Sequence, residues 1–448
     1  MGSIRTFVDE GLGHSSYVID LGDGSAAFID PPRFATEQIA AANERGLTPR
    51  WTIDTHSHAD YVSGSPTLAD GDGVTFAAPA ASRLATPHFG LYDDDRVELV
   101  PGLSLRVIAT PGHTPDHHVY LLERDGVDVA LFSGGSLMVG TVGRTDLCGP
   151  DLTEPLAHDM FHSLRRLDDL PDHLPVYPTH GAGSFCSAAG GASRTSTLGR
   201  ERATNALFRI GDEDTFVEAL VAGFGSFPSY FLRLPEVNRR GPRRYGALPH
   251  LARLDVEQVE RHVIDGAVVV DTRPVAQFAA AHVPGSVSNA LRPVFGSLLG
   301  WIVDLNRPVV IVAGVDQDRA EIVRQCLDVG HDAVVGELDG GVDAWRASGR
   351  RITGIPLVGA DDMVGTVLDV RLRSEFENGH VPGALNIELG SVADADVPDG
   401  PVTVMCGHGE RAMTGASLLV ARGHRDVNVL DGGPDEWAAC HGKSLTVM

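Results

Sequence analysis

The chain has 448 residues, 43% of them hydrophobic and 21% charged, which is ordinary globular usage and unlike a disordered or membrane-embedded polypeptide. Its 36 Lys and Arg against 60 Asp and Glu leave a formal charge of −24, which repels phosphate backbones and anionic headgroups, so neither nucleic acid nor membrane is an expected partner. At roughly 150 residues per domain the length allows about three domains, and five cysteines without framework spacing point to a reducing, cytoplasmic setting.

Met1 to Glu10 contains no apolar core of signal-peptide length, so no secretion is expected. Short β-type runs follow, such as Ser16 to Ile19, Ala26 to Ile29 and Leu105 to Ile108, separated by Gly, Pro and Asp. Over residues 1 to about 200 they predict two sheets packed face to face. Directly after one such run comes Thr55-His56-Ser57-His58-Ala59-Asp60-Tyr61, joined further on by Thr110-Pro111-Gly112-His113 with His117, and by Tyr177-Pro178-Thr179-His180-Gly181. Two histidines at i and i+2 on a turn can converge on one ion, and imidazole suits zinc or iron. The competing reading is chance: a chain with 19 His carries some such pairs, and a buried His often only bonds backbone.

This series resembles the metallo-β-lactamase fold and, within it, the glyoxalase II-like persulfide dioxygenases. The resemblance rests on Phe28-Ile29-Asp30-Pro31, Thr55 to Gly64, Thr110 to Pro115, Phe132 to Gly135, Gly143 to Leu147 and Tyr177 to Gly181. It implies an αβ/βα sandwich with one iron at the edge between the sheets, held by His56, His113 and an Asp. The Asp has no counterpart, because Gly135 stands in its place. His58 is the further candidate ligand, Asp60 or Asp146 could reach in, or an exogenous anion or the substrate's own sulfur could fill the position. If the missing carboxylate is the only defect, Gly135→Asp should raise iron occupancy. Tyr61, where binuclear relatives carry His, argues for one metal at most and against lactamase or glyoxalase II hydrolysis. Candidate substrate-binding residues are Arg144, which could clamp a carboxylate beside Asp146, Tyr61 and His180. Cys186 follows shortly after and reads as sulfur-binding or as packing.

A helical stretch from about 199 to 223 leads into Pro- and Arg-rich sequence, Pro235 to Pro249, read as a linker. Two copies of one pattern follow. Val268-Val269-Val270-Asp271-Thr272-Arg273, Phe278 and His282-Val283-Pro284-Gly285 return as Thr366-Val367-Leu368-Asp369-Val370-Arg371, Phe376 and His380-Val381-Pro382-Gly383. Each copy then gives an apolar strand, a polar loop, a helix, Gly-His, and Asp-Gly-Gly before Trp345 or Trp437. The combination resembles the rhodanese fold. In the second copy Cys406 follows a strand and opens a loop, Gly407-His408-Gly409-Glu410-Arg411, whose backbone N–H groups and helix N-terminus can cradle a persulfide while Arg411 balances its charge. The first copy has Ala313 at that place and reads as catalytically silent.

The expected architecture is therefore a metallo-β-lactamase sandwich with helical extension over 1–245, a silent rhodanese-like α/β domain over 252–352 and an active one over 358–448. The resemblance implies oxidation of a low-molecular-weight thiol persulfide to sulfite at mononuclear Fe(II), with zinc or no metal as the alternatives, and sulfane-sulfur transfer through Cys406. Sulfite or thiosulfate and a second copy of the chain are the remaining expected partners. The competing readings are a sulfurtransferase whose first domain has lost its metal chemistry at Gly135, and a non-enzymatic sulfur carrier.

Overall fold

A computed structural model of the chain describes residues 3–186 and 193–448; Met1 and Gly2, which open the stretch considered for a leader, lie outside the described residues. The residues divide into two compact units, Met1–Ala247 with Leu327–Gly330, and Leu248–Cys326 with His331–Met448. Among the described residues no helix is long and apolar enough to cross a membrane, and none of the five cysteines is in a disulfide.

The first unit holds two six-stranded sheets. One runs Ile4–Asp9, His14–Asp20, Ser25–Ile29, Thr48–Ile53, Thr75–Pro79 and Phe89–Leu91. The other runs from Ser196–Thr197 through Pro175–Pro178, Val127–Gly134, His118–Arg124 and Leu103–Ala109 to Arg96–Val100. Strand residues alternate between faces. Tyr17, Ile19, Ile29 and Ile53 of the first sheet therefore meet Leu105, Val107, Tyr120 and Phe132 of the second in one apolar layer. The outer face of the second sheet packs Val119, Leu121 and Leu131 against Met160 and Leu164 of the helix Pro150–Arg165 and Phe216 of the helix Glu213–Ala222. The first sheet is covered by the helix Thr36–Asn43 through Ala42. This is the expected αβ/βα sandwich.

The stretch read as a linker is in part ordered helix, Leu234–Arg240, with Pro235 at its first turn where a missing N–H is harmless. The helical stretch at 199–223 is two helices, Leu198–Thr204 and Glu213–Ala222, each started by a side-chain cap, Thr197 and Asp212.

In the second unit each repeat forms a five-stranded sheet of the same order. The first is Arg253–Leu254, Val334–Leu338, Val309–Val312, Val268–Asp271, Val287–Ser288, all parallel. The second is Leu357–Val358, Val427–Leu430, Val402–Met405, Thr366–Asp369, Leu385–Asn386. The repeated motif turns out to be a brace. Arg273 forks onto Asp271 (2.9 and 2.6 Å) and donates to Ala281 O at 2.8 Å. Arg371 does the same to Asp369 (3.0 and 2.7 Å) and Gly379 O (2.8 Å). His282 stacks on Phe278 at 3.8 Å and His380 on Phe376 at 3.7 Å. The repeats share one core, including Val287, Leu298, Ile322, Leu389, Met413 and Ala416.

Candidate metal centre and persulfide loop

Three strand ends of the sandwich deliver the histidines: Thr48–Ile53 leads into His56, Leu103–Ala109 into His113, and Pro175–Pro178 into His180. Their assembly depends on Asp30, a buried residue at positive φ (49°) just after Ser25–Ile29. Its carboxylate accepts from Thr55 N–H (2.7 Å), from Thr55 Oγ1–H (2.7 Å) and from the Thr179 hydroxyl, and pairs with His58 Nε2 at 3.1 Å. Burial alone would raise its pKa, but His58 and these donors outweigh it and hold Asp30 at about 2.

The hydrogen bonds also set the tautomers. Thr55 gives its only hydroxyl proton to Asp30, so it accepts from His56 Nδ1–H at 2.8 Å, which leaves His56 Nε2 as an acceptor turned toward His180. His113 Nδ1 faces the carbonyl of Arg144 at 2.8 Å and must donate there; His113 Nε2 is buried without a hydrogen-bond partner. His180 Nδ1 lies 3.2 Å from Asp60 Oδ2, an ion-pair distance without hydrogen-bond geometry. Three rings thus converge: His56 Nε2 and His180 Nε2 are in hydrogen-bond contact at 3.3 Å, and ligand atoms of all three rings lie within 4.8 Å of one another. Burial, reinforced by the neighbouring imidazoles, pushes His56 well below the usual range, and His113 to about 3. Buried imidazoles that converge in this way are a donor set for a metal cation.

Several expected site residues lie elsewhere. His58 turns its Nε2 onto Asp30 and packs its ring against Tyr61 at 4.4 Å; it stands outside the His56, His113 and His180 group but belongs, with Asp60 and His180 and with Asp30 and Asp54, to two further groups that could hold a cation. Tyr61 is fully buried, donates to Asp30 O at 3.3 Å and serves as wall. Arg144 is spent on structure: it forks onto Asp146 (2.7 and 2.8 Å), donates to Phe185 O and Gly225 O, and lies over Phe227. Neither Arg144 nor Asp146 is left for a substrate or a metal. Gly135 is no gap, because a Cβ there would sit 2.2 Å from His113 Cδ2; the imidazole already occupies that space. An aspartate at Gly135 would have to displace the His113 ring. His117 is also excluded, as its Nε2 accepts from Gly135 N–H and its Nδ1 meets Thr110 Oγ1, both at 2.8 Å.

Two contributors went unread. Asn238, in the former linker, accepts from Ser63 N–H (3.0 Å) and donates to His58 O (2.9 Å) and Tyr61 O (3.0 Å), clamping the loop that carries His56. His14 Nε2 donates to Asp30 O (2.9 Å), beside Tyr61. No local pattern in the sequence marks either. Cys186 is buried and burial pushes its thiol well up, which suits packing rather than sulfur chemistry.

In the second unit Cys406 ends the strand Val402–Met405, and the helix begins at Glu410, so the loop is Gly407, His408 and Gly409 while Glu410 and Arg411 form the first helical turn. Gly409 adopts φ +96°, and its N–H donates to Cys406 Sγ at 3.1 Å. Gly433 packs against the loop so closely that a Cβ would meet Gly407 O at 2.5 Å. Arg411 does not face the sulfur alone: its fork is closed on Glu375 at 2.6 and 2.7 Å. In the first repeat Ala313 takes the cysteine's place. Gln317 fills the loop there, donating to Thr272 O at 2.5 Å and accepting from Gly314 N–H at 2.8 Å.

Comparison with known proteins agrees with this division. The metallo-beta-lactamase superfamily model matches residues 9–180 and the rhodanese-like domain model matches 255–348 and 357–440. A probable metallo-hydrolase of Burkholderia pseudomallei (strain 1710b) is 29% identical over 282 residues, 54% of this chain and 93% of the relative. Glyoxylase B2 of Dictyostelium discoideum is 30% identical over 223 residues, 45% of this chain and 73% of the relative. The chain spans only 50% of the length of a hydroxyacylglutathione hydrolase that it also matches. The crystal structure of a metallo-beta-lactamase from Staphylococcus aureus subsp. aureus COL is similar with a TM-score of 0.66 at 27% identity, covering 75% of this chain and 98% of that one. Sandwich, histidine cluster and paired repeats together place this chain in the metallo-β-lactamase superfamily, joined to two rhodanese-like domains.

Proposed function

We propose that the chain is a sulfur-metabolism enzyme that passes sulfane sulfur through Cys406 and oxidises a low-molecular-weight thiol persulfide in its first domain. The observation that carries this reading is the buried Cys406 Sγ held by Gly409 N–H at the mouth of a twelve-residue helix. In the transfer step the Cys406 thiolate attacks the outer sulfur of a donor such as thiosulfate. The new S–S bond forms as the old one breaks, and its electron pair leaves on sulfite; an acceptor thiolate then takes the sulfur and restores Cys406. Backbone N–H groups and the helix N-terminus stabilise the anionic persulfide without a proton having to move.

In the first domain His56, His113 and His180 would hold one metal, and three imidazoles with open positions suit ferrous iron or zinc. Iron bound there would supply the redox chemistry with dioxygen. The chain's own part is orientation: Thr55 and the Arg144 carbonyl each keep a proton on Nδ1 of His56 and His113 and so aim Nε2 inward, while Asp60 lies 3.2 Å from His180 Nδ1. Elemental analysis of protein purified without chelator should give one metal per chain, and the iron-loaded protein should consume oxygen with a thiol persulfide. Intact-mass analysis after thiosulfate should find one added sulfur, absent in Cys406→Ser. Loaded protein that consumes no oxygen favours a second reading, a sulfurtransferase with a non-oxidative first domain, which the absence of a carboxylate at Gly135 supports.

A further inference from the structure

The second repeat carries a side-chain cluster that its sulfur chemistry does not use, at the far end of the helix that supports the persulfide loop. That helix, Pro434–His441, follows Gly433, which packs against Gly407 of the loop, and it ends on Cys440 and His441. Asp361 comes from the short turn Ala360–Asp362, at the start of the same repeat. One ligand atom from each residue, an Asp361 carboxylate oxygen, the Cys440 sulfur and a His441 ring nitrogen, lie within 4.8 Å of one another. Asp361 and Cys440 are exposed and His441 is half-buried, so the group is open to an ion from solvent.

The imidazole is oriented for such an ion. His441 stacks on Trp437 at 4.7 Å, and its Nδ1 lies 2.9 Å from Trp437 O. A carbonyl only accepts, so the proton sits on Nδ1 and the Nε2 lone pair faces Asp361 Oδ1 at 3.8 Å. Two electron-pair donors then face each other across a gap too long for a hydrogen bond. Ligands about 2.0–2.1 Å from a tetrahedral ion are roughly 3.4 Å apart, so a small closing movement would seat one. Without an ion the Cys440 thiol hydrogen-bonds Asp361, which holds its pKa up. The first repeat has no counterpart at this helix end: Ser348 and Gly349 follow Trp345 at the spacing at which Cys440 and His441 follow Trp437.

We propose that Asp361, Cys440 and His441 form a site for a thiophilic divalent cation of the zinc class, with water as the fourth ligand. Thiolate, imidazole and carboxylate together are a borderline-soft donor set, which suits zinc and does not suit magnesium or calcium. The Cys440 proton goes to solvent as the sulfur–metal bond forms, and no electron is transferred. A site so open exchanges its ion with solution, so it fills on titration and adds nothing to the metal that survives purification. Bound there, the ion ties the turn that opens the second repeat to the helix that closes it, the same helix that meets the persulfide loop through Gly433.

The test follows alkylation of Cys440 by iodoacetamide in the full chain, peptide by peptide by mass spectrometry, with and without zinc ions, in wild type, Asp361→Ala and His441→Phe. His441→Phe keeps a ring over Trp437 and removes the ring nitrogens. Zinc should slow alkylation of Cys440 about tenfold or more in wild type, because a coordinated thiolate is no longer free to attack, and should do little in either variant. Magnesium should protect Cys440 in none of the three, and half-buried Cys148 serves as the internal reference. Reading the Cys440 peptide alone separates this site from the histidine cluster and from Cys406, which zinc can reach as well. Cys440 alkylated equally with and without zinc would overturn the proposal. So would protection undiminished in both variants, which would mean a cysteine that holds an adventitious ion only.

Discussion

The two rhodanese-like repeats are built alike and end differently. Strand order, the Asp271–Arg273 and Asp369–Arg371 forks and the Phe–His stacks are the same in both. At one loop they part: Cys406 with Gly409 N–H on its sulfur in the second, Ala313 with the Gln317 side chain folded into the loop in the first. The residues that repeat most visibly are therefore those that close the fold, and the chemistry resides in the few that do not repeat. A first copy without a nucleophile still contributes, through the shared core.

The contrast is abolished most completely at the sulfur. Cys406→Ser should lower sulfur transfer by about a thousandfold or more, as loss of a nucleophile does. The reciprocal Ala313→Cys should add no second centre, because Gln317 occupies the loop where an anionic sulfur would need N–H donors; mass analysis after thiosulfate should find one persulfide and not two.

Symmetry of the braces is the next test. Arg273→Ala and Arg371→Ala each strand a buried aspartate, and should each cost about 3–5 kcal/mol in denaturant unfolding. A much smaller cost in one repeat would mean that the forks are not equivalent.

In the histidine cluster, His180→Ala should weaken metal binding about 10–100-fold or more while His58→Ala leaves stoichiometry intact, with metal content as the readout. Gly135→Asp should lower occupancy as well, since its Cβ enters the space of His113.

The smallest effect is graded by pH. Burial lowers His113 to about 3 and His14 to about 4, and also lowers His56 and His117, so the folded metal-free domain stays unprotonated where the unfolded chain takes up protons. Below pH ~6.5 the unfolded state binds more protons, and stability falls as pH falls toward ~3. His58, held up by Asp30 against burial, and Asp54, raised by burial to about 6, act in the opposite sense, since both favour the protonated folded state. Thermal unfolding from pH 8 to 4 should show the first domain losing stability first, its histidines outnumbering these two. A flat profile would contradict the assigned neutral cluster.

What could be read without a structure was whatever a short window of residues encloses. The Asp-x-Arg fork spans three residues, the His-on-Phe stack spans five, and the Cys406 sulfur is bonded three residues on, so periodicity and motif disclosed both repeats and the loop. His56 and His113 were legible because each sits on a turn at the end of a β-type run. Tertiary structure decided the rest. His180 reaches His56 across 124 residues, and Asn238 clamps the His56 loop from a segment that read as linker. Arg144 read as a substrate-binding group and Arg411 as the balance for a persulfide's charge, yet Asp146 and Glu375 already fill their forks. The physical reason is common to these cases. A side chain's chemistry is set by which of its donors and lone pairs remain after folding, and partners distant in sequence take them without leaving a mark in local pattern.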